Sequence, residues 1–318
     1  MKKFIFAALF LLLTCLPAKS QVSNLYLEAR GGFDGGFTAD YVNLVLEGQI
    51  TPGLTYYWRQ RFNKPLYNPL FPLNATDQLW IHWQPTDRWG FQLGKLPIVV
   101  GGYEYDDAPI DLYYWCEFAN NMPDVYALGG AVWFTVTPQQ KLMLHVTQSP
   151  FARGRPDCFQ AGLVWMGGFT DWWQTIWSVN WVDDYLRQGM AYAGLGNRLE
   201  AGVFAAELDL MFRQSLRQRP GLDMSAILKT ELSFRNQWKV FAKGGYDYNS
   251  PLNVDENGNA YDLALPPGQH YWNIGGGVEY FPLRNDNLRL HLVGWTEGRR
   301  AHFTAGATYR LRIIRNKQ

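Results

Sequence analysis

From residue 24 onward, apolar and polar side chains alternate in short runs separated by turn-forming residues. Residues 24–31 set the pattern. Leu25, Leu27 and Ala29 fall on one face, and Tyr26, Glu28 and Arg30 on the other. That period of two belongs to a strand with one apolar face. It recurs over 41–50, 54–62, 77–85, 88–96, 126–136, 140–148, 158–167, 172–183, 189–197, 200–213, 224–235, 237–247, 270–281, 286–296 and 302–313, which with the first makes about sixteen strands. Tight turns such as Thr51-Pro52-Gly53, Pro85-Thr86-Asp87 and Thr137-Pro138-Gln139 follow every second strand, as do Gly168-Phe169-Thr170, Asn197-Arg198-Leu199, Asn236 and Arg284-Asn285. Longer links fill the other positions: 63–76, 97–125, 148–157, 183–189, 213–224 and 247–270.

An even number of strands of roughly ten residues, joined alternately by short turns and longer loops, is the pattern of an outer-membrane β-barrel. A β-sandwich also alternates, but its links have no regular short-long order. The expected fold is therefore all-β, a transmembrane antiparallel barrel of about sixteen strands. Its apolar face meets lipid and its polar face lines the lumen. Aromatic residues make up 16% of the chain. Several, including Tyr56, Trp89, Trp172, Trp173, Trp238, Tyr246 and Tyr280, stand near strand ends, where interfacial girdles form.

Residues 1–20 read as an address. Lys2 and Lys3 precede an apolar run from Phe4 to Leu16, and Pro17-Ala18-Lys19-Ser20 supplies a small-residue cleavage site, the layout of a secretory signal peptide. Cys15 raises a lipoprotein alternative, which Thr14 before it fits poorly. Residues 21–318 then form one barrel domain, placed in a Gram-negative outer membrane with its lipid as surroundings. A formal net charge of +1 argues against nucleic acid as a partner. Cys116 and Cys158 remain after cleavage and could pair in an oxidising compartment. No Cys or His spacing suggests a metal, and no cofactor is expected.

The link 97–125 stands apart. It carries Glu104, Asp106, Asp107, Asp111, Glu117 and Asp124, no Lys or Arg, and large apolar residues including Tyr103, Tyr105, Tyr113, Tyr114, Trp115 and Phe118. A solvated loop has little use for such a set, whereas a loop folded into the lumen can pack it against the wall. The strand register sends Arg59, Arg61, Lys141, Lys229, Lys239, Lys243, Arg289, Arg310 and Arg312 into the lumen, with Arg30, against Glu28, Glu47, Glu207, Asp209, Glu231 and Glu279. Facing rows of charge select ions in pores. Solvated charges that satisfy one another are the competing explanation.

The stretch Leu93-Gly94-Lys95-Leu96-Pro97, then Gly101-Gly102-Tyr103-Glu104-Tyr105-Asp106 through Pro109-Ile110-Asp111-Leu112-Tyr113, resembles the phosphate-selective porin O and P family. The resemblance is sharp over about residues 88–150. It implies a sixteen-stranded barrel, assembled as a trimer, with the third loop folded inward as the constriction. It also implies a basic lumen for anions, and here the chain departs from the family, since its third loop is acidic. Lys95 matches the family's Gly-Lys, yet the register sets it on the outer face beside Phe91 and Leu93.

The expected function is a porin: a water-filled channel for passive diffusion of small hydrophilic solutes or ions, with an anion or phosphate preference implied by the resemblance. The alternative is a non-conducting structural or surface-interaction barrel. No enzyme is expected. His82, His145 and His291 face the lumen as solvated wall residues outside any nucleophile motif. Asn253 to Asn259 resembles the start of a calcium loop, but Ala264 stands where its bidentate Glu belongs. Asn74-Ala75-Thr76 matches a glycosylation sequon, a match common by chance.

Overall fold

Sixteen antiparallel strands close on themselves in a computed structural model that describes residues 21–66, 68, 73–216, 223–252, 254, 257–258 and 264–315. They are β1 (Gln21–Phe33), β2 (Phe37–Thr51), β3 (Leu54–Arg61), β4 (Thr76–Trp83), β5 (Trp89–Pro97), β6 (Tyr126–Thr137), β7 (Gln140–Gln148) and β8 (Phe159–Thr170). The second half adds β9 (Trp173–Asp183), β10 (Gly189–Ala201), β11 (Phe204–Ser215), β12 (Asp223–Phe234), β13 (Trp238–Tyr248), β14 (His270–Tyr280), β15 (Leu288–Glu297) and β16 (Arg300–Arg315). Each pairs with its sequence neighbours, and β1 closes the ring on β16 with Glu28 opposite Arg310. Closure leaves no edge strand, so every strand finds its backbone partners within the sheet, as a lipid surround demands. The segment 1–20, with its signal-peptide reading, and most of the calcium-like segment lie outside the described residues.

The alternation of the sequence becomes the two faces of the wall. Leu144, Leu163, Val179, Leu208, Leu228 and Leu292 point outward and stay exposed. Above and below that aliphatic band sit aromatic clusters. At the turn end they include Trp83 with Phe91, Trp89 with Phe134, and Trp238 with Tyr280. At the loop end Tyr246 packs on Trp272. Two belts around an apolar band are how a barrel seats itself in a bilayer.

Some boundaries differ from the sequence expectation. The Asn197-Arg198-Leu199 link is strand: β10 runs on to Ala201 and the chain reverses at Gly202-Val203, where Gly202 has φ of 61°. That left-handed geometry suits glycine. Likewise β8 continues through Gly168-Phe169-Thr170 and turns at Asp171-Trp172. The first and last loop-end links are also short, at 34–36 and 298–299, so the short-long order holds only in the middle of the chain.

Candidate functional site

The site is the third loop, residues 98–125, and the wall it meets. It carries two short helices, α1 (Tyr103–Asp106) and α2 (Glu117–Asn121), and a single 3-10 turn at Pro109–Asp111. Helices this short are not stable alone. Neither has a side-chain cap of its own, because Gly102 and Cys116 occupy the N-cap positions. The wall supplies the caps. The Asp209 carboxylate on β11 accepts the Tyr103 and Glu104 backbone N–H groups at 3.0 and 2.7 Å. Asp247 on β13, held by the Ser225 hydroxyl, accepts the Glu117 N–H at 2.8 Å. A carboxylate at a helix start satisfies orphan donors and opposes the positive end of the dipole.

Glycine makes this approach possible. A Cβ on Gly102 would fall 2.0 Å from Asp209 Oδ1 and 2.7 Å from the Gly196 Cα. A Cβ on Gly196 would fall 2.7 Å from the Gly102 Cα, and one on Gly194 would lie 3.0 Å from the Gly101 Cα. The loop's Gly-Gly pair therefore lies backbone against backbone on the lumen face of β10.

Apolar packing holds the rest. Val100, Phe118 and Met122 of the loop pack with Met190, Tyr192, Met211 and Ile227 of the wall. Tyr103 packs with Ala131, Met143, Val164 and Ile176. The Arg213 guanidinium lies 4.1 Å over the Phe118 ring and donates to Ser225. On the far side, Tyr113 stacks on Phe241 at 5.7 Å and Tyr114 on Trp295 at 5.5 Å. The Tyr113 hydroxyl donates to Glu279, and the Tyr114 hydroxyl to the Lys243 carbonyl.

Charge follows the same plan. Lys243 Nζ donates to Glu104 at 2.7 Å and to the Tyr114 carbonyl. Glu104 also accepts the Cys116 N–H, tying α1 to the start of α2. Asp107 pairs with Lys229 at 3.1 Å. Asp111 pairs with Arg289 at 2.9 Å and Arg310 at 3.0 Å. The carbonyls of Ile110 and Leu112 accept from Arg30, and that of Ile110 also from Arg289. Burial pushes the Asp111 carboxyl up, but the two arginines outweigh it and hold it below the usual carboxylate range. Desolvation by the crowded loop and wall around it, and then Asp107, raise Asp106, although its side chain still reaches solvent. Burial raises Glu117, and Glu297 adds to it.

The basic residues expected at the pore all fall on the lumen face, and most are matched by carboxylates. Arg59 and Arg61 pair with Asp77, Lys239 with Glu231 and Glu279, and Arg312 with Asp286. Lys229 also meets Glu207 and Glu231, and Arg310 meets Glu28 and Asp286. Lys141, near a turn, has no ion pair among the described residues. Of the acidic loop residues, Glu104, Asp107 and Asp111 meet the wall, whereas Asp106 does not, and Glu117 accepts from Asn121. Basic wall and acidic loop thus cancel pair by pair rather than facing one another across water.

Several residues have surroundings the sequence did not suggest. His145 and His291 are buried, where a solvated wall was expected; His145 contacts Asn180, and His291 lies against the Tyr113 ring. Lys95 is on the outer face as expected, but buried, bonded to Asp124 and the Leu73 carbonyl. Cys116 and Cys158 are both buried and free. Arg198, read as a turn residue, pairs from β10 with Glu200 and Glu207. The wall caps and the Gly194-Leu195-Gly196 platform were also missed. Two successive lumen-facing glycines in one strand are the signal that could have marked the platform.

Open cavities lie on both sides of Tyr113 and Tyr114. Towards the turn end they line a cavity of 280 Å³ with Lys229, Glu231, Glu279 and Arg289. Larger spaces of 430 and 720 Å³ adjoin it near Glu47, Tyr57 and Arg312. Towards the loop end they line a 190 Å³ cavity with Trp115, Trp295 and Glu297. The two tyrosines are the partition between them. No group of metal-ligating side chains occurs among the described residues.

The model of the family "Phosphate-selective porin O and P" matches residues 18–166. No curated protein matches the chain. Among solved structures, OmpF of Salmonella typhi in complex with daunomycin is similar with a TM-score of 0.64 and 11% identity, over 91% of this chain and 97% of that one. An anion-selective porin from Comamonas acidovorans gives 0.64 at 9% identity, over 92% and 100%. OmpT of Vibrio cholerae in its trimer form gives 0.60 at 11% identity, over 92% and 99%. At these identities the likeness is one of fold.

Proposed function

We propose that the chain is an outer-membrane porin, a channel for passive diffusion of small hydrophilic solutes or ions, related to the phosphate-selective porin O and P family whose model matches residues 18–166. The observation that carries this is the third loop, anchored across a closed barrel with open cavities on both sides of Tyr113 and Tyr114. In this reading the loop sets the pore width and the two tyrosines the narrowest point. Secretion through a cleaved signal peptide and assembly as a homotrimer belong to the same proposal; the trimer is supported by the similar fold of a trimeric OmpT.

The family label alone would favour phosphate. The pairing of the wall cations with carboxylates favours weak selectivity instead, because a paired cation presents little net field to a passing anion. The buried histidines contact an amide and a tyrosine ring, so no catalytic step is part of the proposal.

Conductance in a planar bilayer is the test. Folded protein should give discrete steps, and a salt gradient should give a reversal potential near zero. A complete lack of conductance would sink the channel and leave the second reading, a plugged surface barrel. The close fit of the loop on β10, β11 and β13 is the observation that favours that reading.

A further inference from the structure

The 190 Å³ cavity on the loop-end side of Tyr113 and Tyr114 has a chemistry unlike the rest of the lumen. Its walls include Tyr114, Trp115, Tyr271 and Trp295, and its charged groups are Glu117 and Glu297. Among the described residues no Lys or Arg lines it. Lys243 lies 4.8 Å over the Tyr114 ring and is committed to Glu104, and Arg300 stands opposite Glu297 in the β15–β16 ladder, outside the lining.

The two carboxyls come from different elements, Glu117 from the start of α2 and Glu297 from the end of β15, and both line this one small cavity. Like charges sharing a small cavity repel unless a proton or a cation stands between them. Asp247, which caps α2, adds a third negative group behind Glu117. Among the described residues the one basic side chain in the lining is His302, whose Nε2 lies 3.6 Å from Glu297 Oε2. Asn273 gives an independent indication. It lines the cavity and is 8% exposed, and its amide nitrogen donates to the Trp115 carbonyl while its amide oxygen has no partner. The unpartnered polar atoms here are the Asn273 amide oxygen and His302 Nε2, and the fixed charges of the lining are the two carboxylates. A ligand that complements them carries positive charge.

We propose that this cavity is a binding site for a small organic cation, an ammonium-bearing solute held by Glu117 and Glu297 against the rings of Trp115 and Trp295. Aromatic faces attract such cations through their quadrupoles, and tryptophan does so best. A bare metal ion would gain nothing from the rings. The site lies at the loop-end mouth, ahead of the two tyrosines, so it would concentrate cationic solutes before the partition. This goes beyond the channel reading and stands whether or not the barrel conducts.

The test is calorimetric titration of the folded, detergent-solubilised full chain with choline, beside 3,3-dimethylbutan-1-ol, its neutral isostere, and with glucose and phosphate. Choline should bind at least about tenfold tighter than the alcohol. The Glu117→Gln, Glu297→Gln double variant should abolish that advantage, and Trp295→Leu should weaken both ligands. Heat-dependent gel mobility checks that each barrel is folded. If the double variant does not fold, Glu297→Gln alone serves, since its carboxylate is half-exposed at a strand end. Equal binding of choline and the alcohol, an unchanged advantage in the carboxylate variant, or no choline binding would overturn the proposal. Glucose or phosphate bound in preference to choline would overturn it too, and would assign the cavity to a sugar or an anion.

Discussion

Glu104→Gln probes how the loop is held. Glu104 is 5% exposed and its partner Lys243 4%. Their contact, at 2.7 Å, joins α1 to the opposite wall strand β13, and the same carboxylate holds the Cys116 N–H. The glutamine keeps the shape and an acceptor for that N–H but leaves Lys243 charged, with only the Tyr114 carbonyl in support. Removing one partner of a buried pair costs about 3–5 kcal/mol, chiefly because the other charge is stranded. Taking about 3 kcal/mol, the ratio of docked to undocked loop falls by roughly 100-fold. Replacing both partners with neutral groups of similar size removes the stranded charge and is often close to neutral in energy. In single-channel recordings Glu104→Gln should raise mean conductance and open-channel noise, and adding Lys243→Met should bring both back towards the native level. A noise level unchanged in the single variant, or a double variant as noisy as the single, would refute the stranded-charge reasoning.

Further outcomes follow from the same geometry. Gly196→Val should push the Gly101-Gly102 backbone off β10 and enlarge the conductance, because its Cβ alone would fall 2.7 Å from the Gly102 Cα; unchanged conductance would mean the loop shifts without cost. Asp106→Asn should move the reversal potential in a salt gradient towards anions, since Asp106 is exposed and has no ion pair among the described residues; no movement would place it away from the ion path. Acid should act in two stages. Asp106 and Glu117 are raised in the docked loop, which therefore takes up protons before a free loop does and becomes firmer as pH falls through those raised values. Asp111 is lowered, so its contribution is lost as pH falls below the ordinary carboxylate range through its own value. Open-channel noise should pass through a minimum in mild acid, and a monotonic profile would contradict the assignment.

The strands were legible because lipid and water impose opposite demands on alternate residues. Leu25, Leu27 and Ala29 announce a wall face with no knowledge of their neighbours. Arg198 was not legible in the same way: beside Asn197 it reads as a turn, and its pairing with Glu200 and the wall carboxylate Glu207 explains a charged strand residue there. The signs of the wall and loop charges were visible, but their pairing was not, because Lys229 meets Asp107 across more than a hundred residues of sequence. The loop's inward fold could be expected from its aromatic residues. That it rests on two glycines of β10 depends on a backbone approach that alternation cannot encode.

The caps on α1 and α2 also set an order of events. Asp209 and Asp247 lie 106 and 130 residues beyond the loop atoms they hold. The loop is made before its supports exist, and helices of four and five residues cannot form while they wait. It can therefore become ordered only once β11 and β13 have taken their places. Bringing such distant segments together is slow. Until then, the strands on either side of the loop have to associate around an unfilled interior.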